Sequence, residues 1–186
     1  HEIVFLNPEC ARESDFPTAV FRTVRIVFNF KNFTLIFRSD DEGESWHYLC
    51  ELMPCFWGKL FVHKGELYML SVSTEYGDLL IGRSDDGGNT WGMPTVLLRG
   101  AGRRDVPGVH KNPQNLIIHN GRIYTTLEWG TWADKDYCHA AMVMSCNVDD
   151  DLLIPENWSF SAPRKFDPNF ASEVTHLPYC TMTIEG

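Results

Sequence analysis

The sequence is short of positive charge. It has 16 Lys and Arg against 25 Asp and Glu, a net charge of -9. A nucleic-acid partner needs clustered cations to meet phosphates, and the only compact basic group is Arg99, Arg103 and Arg104. No nucleic-acid partner is expected. Long apolar runs are also lacking. None approaches the ~20 residues that span a bilayer, so no membrane span is expected in this chain. The six cysteines, Cys10, Cys50, Cys55, Cys138, Cys146 and Cys180, form no CxxC pair, which argues against a zinc site. Neither a metal nor a cofactor is expected. Several of these cysteines sit in apolar, strand-like runs, where a thiol behaves as a small hydrophobe. Free buried thiols are therefore preferred to a disulfide framework. No window sustains a 3.6-residue apolar period, so helices should be few.

Aromatic residues are abundant, at 13% with 12 Phe and 6 Trp. Flat rings cover pleated faces well, so this composition favours packed β-structure. The chain also repeats itself. Arg38-Ser39-Asp40-Asp41-Glu42-Gly43-Glu44-Ser45-Trp46 returns as Arg83-Ser84-Asp85-Asp86-Gly87-Gly88-Asn89-Thr90-Trp91, 45 residues later. That period is the size of one four-stranded propeller blade. A second repeat pairs Phe61–Tyr68 with Ile117–Tyr124, 56 residues apart. Each copy is an apolar run, a tight turn with Gly and an alternating run, which is a β-hairpin signal. The longer offset places an inserted loop near Gly100–Pro107.

The expected fold is all-β: a β-propeller of four-stranded antiparallel blades, here a partial ring of about four blades. Approximate blades are 1–55, 56–107, 108–176 and 177–186, the last cut short at Cys180–Ile184. In the blade 56–107, strands are expected from Gly58, through Leu67–Val72 and Asp78–Gly82, and between Trp91 and Leu98. In the next, they are expected at Asn115–Ile118, Arg122–Glu128 and Ala140–Ser145. Ser145–Asp149, with Trp158 further on, reads as a degraded and extended copy of the repeated turn. A partial ring would leave open sheet edges, and both ends read as cuts. The natural protein is expected to be longer and to close the ring.

The chemistry of the repeated octad Ser-x-Asp-x-Gly-x-(Ser/Thr)-Trp is structural. Asp41 and Asp86 can accept from amides of their own turn. Gly43 and Gly88 permit positive φ. Ser39 and Ser84 can tie the turn back, while Trp46 and Trp91 cover the blade core. A calcium loop of EF-hand type would need further oxygen ligands and a Glu at its twelfth position, which are missing.

These two boxes resemble the Asp-boxes (BNR repeats) of bacterial and animal sialidases, or neuraminidases. The segment from Phe56 to Gly186 is similar to bacterial sialidase-family proteins of polysaccharide-degrading organisms. The matching pieces are Trp57–Phe61, Val109–Pro113, Gly121–Tyr124, Asp151–Leu153 with Asn157-Trp158-Ser159, and Ile184-Glu185-Gly186. The resemblance implies a six-bladed propeller whose Asp-boxes lie on the outer rim. It also implies an exo-acting glycoside hydrolase that removes terminal sugars, such as sialic acid, from a glycan. Sialidases hold the sialic acid carboxylate with three Arg and use a Tyr–Glu nucleophile pair and an Asp acid. Phe21-Arg22-Thr23-Val24-Arg25-Ile26 echoes their first Arg motif without its Pro.

Ligands of propellers bind at a mouth of the central channel, so residues near the start of inner strands are the candidates. His110, Glu128 and Glu185 are the catalytic candidates. Trp57, Lys59, Lys111, Arg103 and Arg104 are the substrate-binding candidates, with Trp129 and Trp132 able to contact sugar from a loop. Each has a plain alternative. His110 could bond a backbone carbonyl, Glu128 could pair with Arg122, and Trp57 could fill the core. Tyr137 is a weaker candidate for a nucleophile partner. Two further functions stay open: a non-catalytic Asp-box propeller that binds glycan or protein, and a His-dependent lyase or rhamnosidase-like propeller. Asn32-Phe33-Thr34 and Asn157-Trp158-Ser159 are glycosylation sequons, and the expected location is secreted, periplasmic or cell-surface.

Overall fold

A computed structural model describes residues 2–4, 20–28, 31–110, 115–134 and 139–165. Lys111, Tyr137, Glu185 and the expected strand at Cys180–Ile184 lie outside the described residues. So do the side chains of Arg22 and Arg25.

The described residues form three antiparallel sheets in chain order. The first contains β1 (Glu2–Val4), β2 (Val20–Phe28), β3 (Lys31–Ser39) and β4 (His47–Leu52), paired in that order. The second contains β5 (Phe56–His63), β6 (Glu66–Val72), β7 (Leu79–Ser84) and β8 (Thr95–Leu98), again paired in sequence. In the third, β9 (Gly108–His110) and β10 (Ile117–His119) both pair with β11 (Arg122–Gly130). β12 (Ala140–Asn147) and the short β13 (Ser159–Phe160) follow. The one helical turn among the described residues is the 3₁₀ turn Pro155–Asn157. The three sheets do not close a ring.

Burial patterns show how the sheets stack. β12 alternates, with Met142, Met144 and Cys146 buried and Ala141 and Val143 exposed. This is the pleat of a sheet with one covered face. β5, β6 and β7 are buried along almost their whole length, because the second sheet is covered on both sides. Leu60, Val62, Leu67 and Met69 pack with Phe21 and Ile36 of the first sheet. Phe61, Leu70, Val72 and Ile81 pack with Val109, Ile123, Leu127 and Met144 of the third. His63 Nε2 lies 2.8 Å from the Val148 carbonyl, and Lys64 pairs with Asp149 at 3.1 Å, linking the second and third sheets at their hairpin ends.

The turns follow from local chemistry. Lys64-Gly65 and Asn120-Gly121 each place two successive residues at positive φ, as two-residue turns twisted to suit a hairpin require. In the first Asp-box, Gly43 N and Ser45 N donate to Ser39 Oγ and Asp41 Oδ1 at 2.8 and 2.9 Å. The Trp46 indole donates to the Gly43 carbonyl at 3.0 Å. The second box repeats the pattern: Gly88 N to Ser84 Oγ, Thr90 N to Asp86 Oδ1, and Trp91 Nε1 to the Gly88 carbonyl at 2.8, 2.8 and 3.1 Å. Both turns join the third and fourth strands of their sheets. In the third sheet the same connection is the longer segment 148–158. Its Trp158 is buried and donates to the Leu152 carbonyl at 2.9 Å.

Several expectations are corrected. The second sheet starts at Phe56, its third strand is Leu79–Ser84 rather than Asp78–Gly82, and its last, Thr95–Leu98, lies within the stretch between Trp91 and Leu98. Trp57 and Lys59 lie inside β5, at a register shift between Phe56 and Lys59, where Trp57 takes a φ of 52°. The expected strand at Asn115–Ile118 is the second half of an interrupted strand, with Gly108–His110 as its first half. Arg122 does not reach Glu128. Its guanidinium donates to Asn147 Oδ1 and Ser145 Oγ at 2.7 and 2.9 Å.

Candidate functional site

β9 and β11 are antiparallel, and His110 is the direct cross-strand partner of Glu128. Directly opposed side chains share a face of the sheet, so the two groups meet. His139 immediately precedes β12, whose Ala141 pairs with Glu128 on the opposite flank of β11. Two strands and the turn leading into a third thus bring Glu128, His110 and His139 to one point. His110 Nδ1 lies 3.0 Å and His139 Nδ1 2.8 Å from the same Glu128 oxygen, Oε2. The imidazoles meet edge to face with centroids 4.8 Å apart.

Burial alone would raise the Glu128 carboxyl. The hydrogen bond from His110, the charges of both histidines and the hydrogen bond from His139 outweigh it, and the group is held below the usual carboxylate range. Glu128 is therefore ionised at neutral pH and binds both rings through their Nδ1–H groups. The His139 side chain is only 8% exposed, yet its Nε2 has no hydrogen-bond partner among the described residues. One donor atom of each residue lies within 4.8 Å of the others, so the trio could hold a metal ion.

Aromatic rings enclose the cluster. Trp57 lies 5.6 Å from His110 between ring centroids, and Tyr76 lies 5.8 and 6.2 Å from His110 and His139. Trp132 stands edge-on to His139 at 5.1 Å. The placement of Tyr76, at a φ of 57°, depends on two glycines. A Cβ on Gly108 would sit 1.8 Å from the Tyr76 carbonyl oxygen, and one on Gly100 would sit 2.0 Å from that of Gly77. Only glycine lets β9 and the inserted loop approach the 76–77 turn so closely. Gly102 N seals the contact by donating to the Tyr76 carbonyl at 2.7 Å.

The other sequence candidates lie elsewhere. Lys59 is buried on the β5 face that carries Phe61, toward the third sheet. Arg103 pairs with Asp105 at the exposed surface. Arg104 pairs with Glu75 at 3.1 Å, and Glu75 also accepts from the Trp132 indole at 3.0 Å. Arg99 pairs with Asp78 at 2.7 Å. The basic trio is thus spread over three carboxylates and does not converge on the histidines. Asp41 and Asp86 are consumed by their own turns. His139 and Tyr76 were missed by the sequence reading. The signal for His139 was the hairpin itself, because extending its register two residues beyond the pair Glu128–Ala141 sets His139 beside the site.

No family model matches the chain, and no curated protein matches it. Among solved structures, it is similar to an α-L-arabinanase of Penicillium chrysogenum complexed with arabinobiose. That match has a TM-score of 0.50 and 15% identity, over 76% of this chain and 44% of the other. It is similar to an α-L-arabinofuranosidase of Lactobacillus brevis, with a TM-score of 0.53 and 15% identity over 77% and 55%. A Dyadobacter fermentans protein of unknown function gives 0.53 and 16% over 82% and 40%. The chain spans about half the length of these proteins. At such identities the likeness establishes a fold. The chain has the all-β, antiparallel, propeller-type architecture of these proteins, here without a closed ring.

Proposed function

We propose that the protein is a carbohydrate-active propeller, an exo-acting glycoside hydrolase that removes terminal sugars from glycans. The observation that carries this reading is the part-buried His110–Glu128–His139 cluster, with Trp57, Tyr76 and Trp132 beside it. Aromatic faces suit the apolar faces of a pyranose or furanose ring, and a few convergent polar groups fix its orientation. Glu128, ionised and held by two donors, suits the base or charge-stabilising role at an oxocarbenium-like centre rather than the acid role. A second carboxyl group must supply the acid, and Glu185 remains the candidate for it. The two Asp-boxes are structural, and only their resemblance to those of sialidases brings sialic acid among the candidate sugars. The proteins of similar fold that are named for arabinan and arabinofuranoside cleavage support including those sugars.

A second reading is favoured by the pair of histidines on a single carboxylate, which suits His-dependent cleavage of a polysaccharide. Both readings are tested by incubating the full-length protein with aryl sialosides, arabinofuranosides and other aryl glycosides, and with acidic polysaccharides. Release of a hydrated sugar supports the hydrolase. An unsaturated product from polysaccharide alone supports the lyase. Binding without turnover on any substrate returns the protein to the non-catalytic class.

A further inference from the structure

We propose that His110, Glu128 and His139 form a binding site for one divalent transition-metal ion of the zinc class. The donor types are right: imidazole and carboxylate together suit zinc and its neighbours, and a two-His, one-carboxylate set leaves a position open for water or substrate. The spacing is close as well. Two donors about 2.1 Å from one ion in a tetrahedral set lie about 3.4 Å apart. The Nδ1 atoms of His110 and His139 lie 3.0 and 2.8 Å from Glu128 Oε2, and one donor from each residue falls within 4.8 Å of the others. Release of the two Nδ1 protons and small outward shifts of the rings would bring all three donors onto one ion.

The surroundings point the same way. This is no cluster of surface acids, for the two imidazoles are 12% and 8% exposed. Their positions are set by cross-strand pairing and by contacts with Trp57, Tyr76 and Trp132. His139 Nε2 is buried without a hydrogen-bond partner among the described residues. With an ion bound, Glu128 would act as a ligand in place of the base role, and the ion would supply a Lewis acid to the pocket. The inference does not depend on which glycan is cleaved, or on whether any is.

The test is a titration of tag-free, full-length protein, stripped of metal by chelator, with Co²⁺ followed by visible absorption and with Zn²⁺ followed by calorimetry. One equivalent is expected to bind. His139→Ala and Glu128→Ala are expected to weaken binding by about a hundredfold or more. Zn²⁺ should raise the unfolding temperature of the wild type and leave that of the variants unchanged. Far-UV circular dichroism shows whether each variant folds. Should one not fold, X-ray absorption of the wild-type zinc form takes its place, with two imidazoles in the first shell as the expected result. Failure to bind one equivalent, or binding that survives His139→Ala, would overturn the site, the latter as an adventitious ion only. Sugar release is not read in this experiment, so its outcome is independent of the hydrolase reading.

Discussion

Two sets of carboxylates in this chain have their acidities shifted the same way for different reasons, and the difference separates structure from function. Asp41 is exposed and is held down to about 2, first by the Ser39 hydroxyl and then by the Ser45 hydroxyl and amide. Asp86 is lowered likewise, chiefly by Thr90. Every partner lies within a few residues in the same turn. Glu128 is half-buried, is lowered against its own desolvation, and draws its partners from two other strands. An acid satisfied by its own turn needs nothing more. An acid partnered from other strands, beside three aromatic rings and an imidazole whose Nε2 has no partner among the described residues, is the candidate for a ligand site.

The largest effect that would sharpen this contrast is Glu128→Gln. It should lower kcat/KM on any cleaved glycan by about a hundredfold or more while circular dichroism stays unchanged. Trp158→Ala comes next. It removes a buried indole and its bond to Leu152, and should cost about 3–5 kcal/mol in a denaturant titration. Trp91→Ala should cost less than Trp158→Ala, because Trp91 is only half-buried. Equal losses would mean that the two corners are packed alike. The pH effect at Asp41 is smaller. Its folded value, about 2, lies below the ordinary 3.8, so the unfolded chain binds the proton more readily. The stabilisation is therefore complete above about pH 4 and lost as pH falls from there toward about 2. The unfolding temperature of the wild type relative to Asp41→Asn should show that window, and a difference independent of pH would break the account of the box. Arg103→Ala should change neither stability nor activity measurably, since its ion pair with Asp105 is exposed.

The parts of the fold legible in the sequence were those written in local chemistry. The octads at 39–46 and 84–91 and the Gly turns at 65 and 121 carry their own hydrogen bonds and φ signs, so spacing alone located them. The interrupted strand at Gly108–His110 was not legible, since a three-residue run has too little periodicity to read. The pairing of His110 with Glu128 depends on β11 extending to Gly130, two residues beyond the expected end. His139 and Tyr76 join the site only through sheet register and through glycines whose need is visible only where backbones touch. Nothing in the sequence shows that Arg103 and Arg104 are already engaged, by Asp105 and Glu75 respectively.

The most direct test of the central claim compares Glu128→Gln with Asp86→Asn in the full-length protein, reading kcat/KM on the best glycan and the unfolding temperature side by side. The account predicts that Glu128→Gln loses activity by about a hundredfold or more with its unfolding temperature nearly kept, while Asp86→Asn keeps its activity and unfolds at a lower temperature. Loss of activity in Asp86→Asn with full stability, or wild-type activity in Glu128→Gln, would contradict it.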